Sequence, residues 1–312
     1  MVNISQLADF FLWLFEVKKL EINTIKGYRS ALSAPLKLSS QVDLSTDQFI
    51  SALFSNFAYD RPAKTKEFPK WDLSIVLDHL RKPPYEPLAL ANAQALNKKT
   101  TFLLLLASGA RRGEIHAIDH SLTIYHADGS VFLQPNPKFR AKNFNAITGS
   151  GAFKGFKIQP LDQYVGKEMT EDLMNCPVRA LKMYSDKTKH LRDKHKQLLL
   201  NCSKQGKFNK PAGKNAVSSW IKHLVAEAHE DADKNSLSLN RPAHEVRAIA
   251  SSICLYNNVC LESILEQCRW RRQNTFTSFY LRDMSRCDGL LRLGPLMAAG
   301  TVVTPTPRST RQ

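Results

Sequence analysis

The chain has 312 residues, 43% of them hydrophobic, which suffices for proper cores in about two domains. Its 44 Lys and Arg against 28 Asp and Glu give a formal charge of +16 and a pI near 9.6. These values exclude a disordered tail, a collagen and a disulfide miniprotein, and point to a polyanionic partner, nucleic acid before an anionic membrane surface. The most apolar run, TFLLLLASG from Thr101 to Gly109, is far short of the roughly 20 residues that cross a bilayer, so no transmembrane helix or membrane partner is expected. The first residues lack a basic stretch, and Asp9 and Glu16 interrupt their apolar run, which predicts no signal peptide and a soluble intracellular chain. Six cysteines without a C-x-x-C pair or zinc-finger spacing predict reduced, mostly buried thiols and no structural zinc.

In chain order, Ile4, Leu7, Phe10, Phe11, Leu14 and Phe15 recur on one helix face. Asn23 and Thr24 are candidate caps for a second helix through Ile25, Tyr28, Ala31 and Leu32, which Pro35 is expected to stop. Ser45 with Gln48 reads as a capping box before Phe49, Leu53, Phe54 and Phe57. Residues 60–70 (DRPAKTKEFPK), proline-bearing and basic, predict a linker over 61–70 between a helical domain at 1–60 and a larger one at 71–295. From Trp71 a helix capped by Asp72 runs to the break at Pro83 and Pro84, and another is expected from Lys98. Asp128-Gly129 between β-branched and aromatic residues predicts a hairpin over Leu122 to Leu133. A third strand follows at Lys154 to Leu161, giving one three-stranded antiparallel sheet in a mainly α chain. Helices are predicted at Pro177 to Thr188, Ala216 to Ala228, Ala243 to Tyr256, Leu261 to Gln267 and Asn274 to Leu281, and a disordered tail over 296–312.

Four polar clusters could carry chemistry, and each has a plain structural explanation. Ser108 to Ile115 (SGARRGEI) could point Arg111 inward with Glu114 bracing it, or simply end a helix. His244 and Arg247 share one helix face and could grip a phosphate, yet one H-x-x-R is unsurprising in a basic chain with nine histidines. Cys268 to Arg272 (CRWRR) reads alone as a solvated basic turn anchored by Trp270. Tyr280, near a helix end, reads alone as half-buried core.

Their order carries more. A helical first domain, a basic linker, S-G-A-R-R-G-E-I, a small sheet, H-E-V-R, and a Trp followed ten residues later by a Tyr resembles the tyrosine recombinase (phage integrase) family over roughly residues 3–285. The wording KKTTFLLLLASGARRGEIHAI, PNPKFRAKN and WRRQNTFTSFYLRD is similar to recombinases of DIRS-type retrotransposons and Crypton-like elements. The resemblance implies a helical core-binding domain joined to a DNA breaking-rejoining catalytic domain. It implies Arg111, His244, Arg247 and Trp270 around a phosphate, Glu114 supporting Arg111, and Tyr280 as nucleophile. The family lysine beside the turn between the second and third strands falls best on Lys142, with Lys138 and Lys154 as alternatives. Two positions depart from the family: Ala248 stands where many members have His, and Tyr280 lies ten residues after Trp270 where nine is commoner.

The chemistry suits these residue types. Two guanidinium groups and an imidazole can hold the charge that develops when a tyrosine attacks a phosphodiester, an indole N–H can add one bond, and a lysine can protonate the leaving 5′ oxygen. A cationic pocket eases removal of the tyrosine proton. The resemblance further implies a 3′-phosphotyrosyl link, no cofactor or metal, no small-molecule substrate, two domains clamping double-stranded DNA, a homotetramer on two sites, and a nuclear location in a eukaryote. Two other readings share these residues: a DNA-binding protein descended from a mobile element that no longer cuts, and a type IB topoisomerase-like enzyme. The basic stretch Lys187 to Lys196 reads equally as part of a DNA clamp or as solvated surface.

Overall fold

The structure, a computed structural model, describes residues 3–40, 42–62, 71–142, 144, 147–149, 151–162, 170–203, 205–232, 242–270 and 272–281. The chain divides into two compact units, residues 1–67 and 68–312. The predicted linker lies mostly outside the described residues, as do the predicted tail and Cys287.

The first unit holds α1 (Ile4–Glu16), α2 (Ile22–Ser40) and α3 (Gln48–Asp60). Asn3 and Gln6 cap α1 reciprocally, and Leu7, Phe11, Leu14 and Phe15 on its inner face meet Ile25, Ile50, Phe54 and Phe57. The Phe15 and Phe57 rings stack at 4.1 Å, and the Arg61 guanidinium covers Phe15 from the other side at 3.4 Å. Two sequence expectations fail here. The second helix begins at Ile22 and runs through Pro35 to Ser40, because packing of Leu32 and Leu36 on the core outweighs the backbone bond that proline cannot make. The cap of α3 is Asp47, whose carboxylate accepts the Ile50 N–H at 2.8 Å, while Ser45 is held in a turn by Asp43.

The second unit is built around α5 (Ala93–Ser108), preceded by α4 (Leu73–His79), which Asp72 caps as expected. Every residue of α5 except Gln94 is buried. It starts at Ala93, capped by Asn92, and not at Lys98. Its first turns carry Asn97, Lys98 and Lys99, which read as surface in a sequence yet are buried with partners: Tyr184, Glu227 and Glu86. Gly109, left-handed at φ 56°, ends α5, and α6 (Arg112–His116) begins three residues later.

The predicted hairpin forms as β1 (Ile124–Tyr125) and β2 (Val131–Leu133), with Tyr125 opposite Val131 and Gly129 at φ 81° in the turn. β3 (Phe156–Ile158) pairs antiparallel with β2, Leu133 facing Phe156, so the order is β1-β2-β3. Gly155 at φ 109° precedes β3 where a Cβ would stand 2.2 Å from the Leu133 carbonyl oxygen, so only glycine fits. Next come α7 (Thr170–Leu173) and α8 (Pro177–Thr188). A second sheet, absent from the sequence reading, pairs β4 (Leu200–Cys202) with β5 (Phe208–Pro211), its register broken at Asn201 and Cys202. α9 (Ala216–Glu230), α10 (Pro242–Tyr256), α11 (Leu261–Gln267) and α12 (Gln273–Phe279) complete the unit. α12 stops at Phe279, leaving Tyr280 as its C-cap residue and not inside a helix reaching Leu281. The buried Cys176, Cys254 and Cys268, the partly exposed Cys202 and the exposed Cys260 are free thiols. Among the described residues, no helix is long and apolar enough to cross a membrane.

Candidate active site

The turn after α5 shapes one wall of a cleft of about 990 Å³. The Ser108 hydroxyl donates to the Leu104 carbonyl at 2.6 Å and accepts the Ala110 N–H at 3.2 Å, so the chain leaves α5 on a fixed path. Arg111 is the first residue past that turn. Its Nη1 donates to Glu114 Oε1 at 2.9 Å and its backbone N–H to Glu114 Oε2 at 2.8 Å. The Glu114 side chain is 3% exposed, that of Arg111 24%. Burial works to raise the Glu114 carboxyl, but the Arg269 charge, the Arg111 N–H and the Arg111 charge outweigh it and hold it below the ordinary value.

α10 supplies the opposite wall. His244 and Arg247, three residues apart, both line the cleft. Arg247 is 2% exposed, its two terminal nitrogens donating to the Gly109 and Cys268 carbonyls. It therefore ties the end of α5 to the turn after α11. Burial pushes its guanidinium below the ordinary arginine value, with Arg111 acting the same way, though an arginine stays charged. α10 is itself anchored, since Trp71 Nε1 donates to Glu245 Oε2 at 2.7 Å.

Tyr280 enters the same cleft from α12. Its hydroxyl shares a 3.2 Å hydrogen bond with His244 Nε2, and the two rings stack at 5.0 Å. Trp270 packs at 4.4 Å on Tyr280, and the Arg247 guanidinium lies 4.5 Å from the Trp270 ring. The buried Trp270 Nε1–H has no partner among the described residues. Such a donor is costly unless something arrives to accept it.

The structure thus brings Arg111, Glu114, His244, Arg247, Trp270 and Tyr280 together. Of the three lysine alternatives, Lys142 lines the cleft and the exposed Lys138 and Lys154 do not. Lys142 lies within the β2–β3 connection, well past Leu133, where β2 ends. Four lining residues escaped the sequence reading: Arg112, whose Nη1 donates to Ser218 Oγ at 2.8 Å, together with Arg140, Ser218 and Lys222. Arg112 and Arg140 lie inside the S-G-A-R-R-G-E-I and PNPKFRAKN stretches without a role of their own, and no motif flags Ser218 and Lys222, because α9 and α6 meet only in the fold. The charged residues lining the cleft are all cationic except for Glu114, which suits a phosphate diester. Among the described residues, no group of three or more His, Cys, Asp or Glu could hold a metal.

No protein-family model matches the chain, and no curated protein matches it in sequence. Solved structures are similar in fold. One is the XerH site-specific recombinase bound to palindromic difH substrate in a post-cleavage complex, with TM-score 0.54 and 12% identity, over 89% of this chain and 69% of that chain. Another is the Tn1549 transposon integrase with circular intermediate DNA, with TM-score 0.54 and 13% identity, over 90% of this chain and 82% of that one. At such identities the likeness concerns the fold, and it agrees with the mainly α architecture and small antiparallel sheet: the chain has the fold of the tyrosine recombinases.

Proposed function

We propose that this chain is a site-specific DNA recombinase that cuts and rejoins double-stranded DNA through a 3′-phosphotyrosyl link on Tyr280. The observation that carries this reading is the meeting, in one cationic cleft, of the Tyr280 hydroxyl, His244 at 3.2 Å, and the guanidinium groups of Arg111 and Arg247. Tyr280 Oη attacks the scissile phosphorus and His244 Nε2 takes its proton. The bond to the 5′ oxygen breaks, and Lys142 gives that oxygen a proton. Arg111 and the protonated His244 donate to the non-bridging oxygens, Arg247, whose terminal nitrogens also hold the Gly109 and Cys268 carbonyls, adds its positive charge behind them, and the unpartnered Trp270 N–H supplies a further bond. A 5′-hydroxyl from another strand reverses the step, restoring the phosphodiester and the phenol. The scheme draws its positive charge from side chains and uses no metal or cofactor, so cleavage continues in EDTA.

Residues 1–60 act in this reading as a DNA-binding domain and residues 71–295 as the catalytic domain, with the basic 61–70 linker along the phosphate backbone. The +16 charge makes binding steeply salt-dependent. Exchange between two sites requires four active sites, hence a homotetramer. The sequence wording favours a mobile element of the DIRS or Crypton kind acting in a nucleus.

The test is incubation with a nicked duplex whose cleaved fragment diffuses away, followed by two-site strand exchange. A covalent adduct with the wild type that is lost in Tyr280→Phe, together with exchange, supports the reading. An adduct with supercoil relaxation but no exchange turns it into a topoisomerase-like enzyme. Binding to a proper site with no adduct leaves a silent DNA-binding protein.

A further inference from the structure

Arg269 holds a left-handed backbone, φ 54°. An L side chain crowds the backbone in this conformation, whereas glycine adopts it freely. The side chain at this costly position is engaged with Glu114 and with the Phe153 ring. Its Nη2 donates to Glu114 Oε2 at 2.6 Å, across 155 residues of sequence. Its guanidinium carbon lies 4.7 Å from the centre of the Phe153 ring, which packs at 6.0 Å on Phe139, the residue three before Lys142. Trp270 is the next residue in the chain. Arg111, Glu114, Phe153, Arg269 and Trp270 together line a smaller cleft of about 220 Å³.

The charge arithmetic matters as much as the contacts. Glu114 with Arg111 alone sums to zero, and a neutralised pair attracts a phosphate weakly. Arg269 takes one carboxylate oxygen and leaves the other to Arg111 Nη1, so the triad carries +1 and the Arg111 fork is held on one side only. We propose that Arg269 is a positioning residue for phosphodiester cleavage: through Glu114 it fixes the Arg111 guanidinium and keeps its charge available, while its own turn carries Trp270 to the same point. The proposal rests on the recombinase reading of Tyr280.

The test uses the full chain with Arg269→Gly, Arg269→Lys and Glu114→Gln, singly and with Arg269→Gly and Glu114→Gln combined. Three quantities are read: the thermal midpoint, the affinity for an intact duplex at fixed salt, and the adduct rate on nicked duplex at saturating DNA. Glycine relieves the backbone and offsets the lost ion pair to Glu114, so Arg269→Gly changes the thermal midpoint little. It leaves duplex affinity unchanged while the adduct rate falls about 10²-fold. Lysine, which keeps the charge without the fork, recovers part of that rate. The combined variant loses less than the product of the single losses, since both changes break one network. A wild-type adduct rate in Arg269→Gly overturns the proposal and leaves the recombinase reading standing. So does a rate loss matched by an equal loss of affinity or thermal stability. A wild type that forms no adduct ends both.

Discussion

Two carboxylates in the second unit are built alike and differ in what their cations have left to give. Glu86, 7% exposed, is held by Lys99 at 2.5 Å and by both Arg179 terminal nitrogens at 2.6 and 2.9 Å. Glu114, 3% exposed, is held by Arg111 and Arg269. In the first cluster the donors are spent inside the protein. Arg179 uses its whole fork on Glu86, and Lys99, itself fully buried, also donates to the Leu80 carbonyl at 2.8 Å. Burial pushes the Lys99 ammonium down to about 8 even though Glu86 pulls it back up. In the second cluster Arg111 gives Glu114 one terminal nitrogen and turns the rest of its fork to an open cleft. A buried carboxylate with two cations is thus a structural clamp in one place and the back of the proposed reaction site in the other. Unspent donors facing a cavity separate the two.

Exchanging one arginine from each cluster tests that contrast with the largest effect. Arg111→Ala lowers the single-turnover adduct rate by about 10³-fold. It changes urea stability little, because it removes a single side-chain bond to Glu114 while the backbone N–H at position 111 and Arg269 remain. Arg179→Ala does the reverse: stability falls by about 1–2 kcal/mol, and the rate per folded molecule stays at the wild-type value. If Arg179→Ala slows cleavage as deeply as Arg111→Ala, the contrast collapses.

A smaller effect sharpens the cleft side of the comparison. Lys142→Ala slows cleavage about 10²-fold on ordinary DNA. It recovers on DNA with sulfur in place of the leaving 5′ oxygen, since a thiolate leaves without a proton. The same rescue pattern in Lys138→Ala or Lys154→Ala would move the general acid to that residue.

Much of this was legible in the chain. The S-G-A-R-R-G-E-I turn, H-E-V-R and Tyr280 are each ambiguous alone and became legible through their order along the chain, and the fold gathers them in one cleft. The Asp128-Gly129 hairpin is legible because it depends only on short-range spacing. Long-range compensation was not. Lys98 and Lys99 look like surface until Glu227 and Glu86 arrive from elsewhere in the chain, which is why α5 begins five residues before its predicted start. Pro35 looks like a stop until Leu36 has a core to fill. The β4–β5 pair is too short and too irregular to alternate cleanly. Arg269 sits in what reads as a solvated basic turn, and its partner Glu114 is visible only in three dimensions.

The smallest effect is on acid stability. Glu114 and Glu86 both lie below the ordinary carboxylate value of 4.5 in the folded chain. Below 4.5 the unfolded chain therefore binds more protons than the folded one. Each carboxylate's contribution is complete above that pH and is lost as pH falls through the lowered value. Unfolding by urea across this window shows wild-type stability falling with acid, and Glu114→Gln removes part of the slope while Glu86 keeps the remainder. An unchanged slope in Glu114→Gln would mean that its cations do not hold it as described.

The proposed reaction bonds Tyr280 to DNA. To test it, the wild-type protein is trapped on a nicked duplex, the adduct is digested and the nucleotide is located by mass spectrometry. A 3′-phosphate on Tyr280 is expected, and no adduct in Tyr280→Phe. A nucleotide on any other residue, or a 5′-linked one, would contradict it.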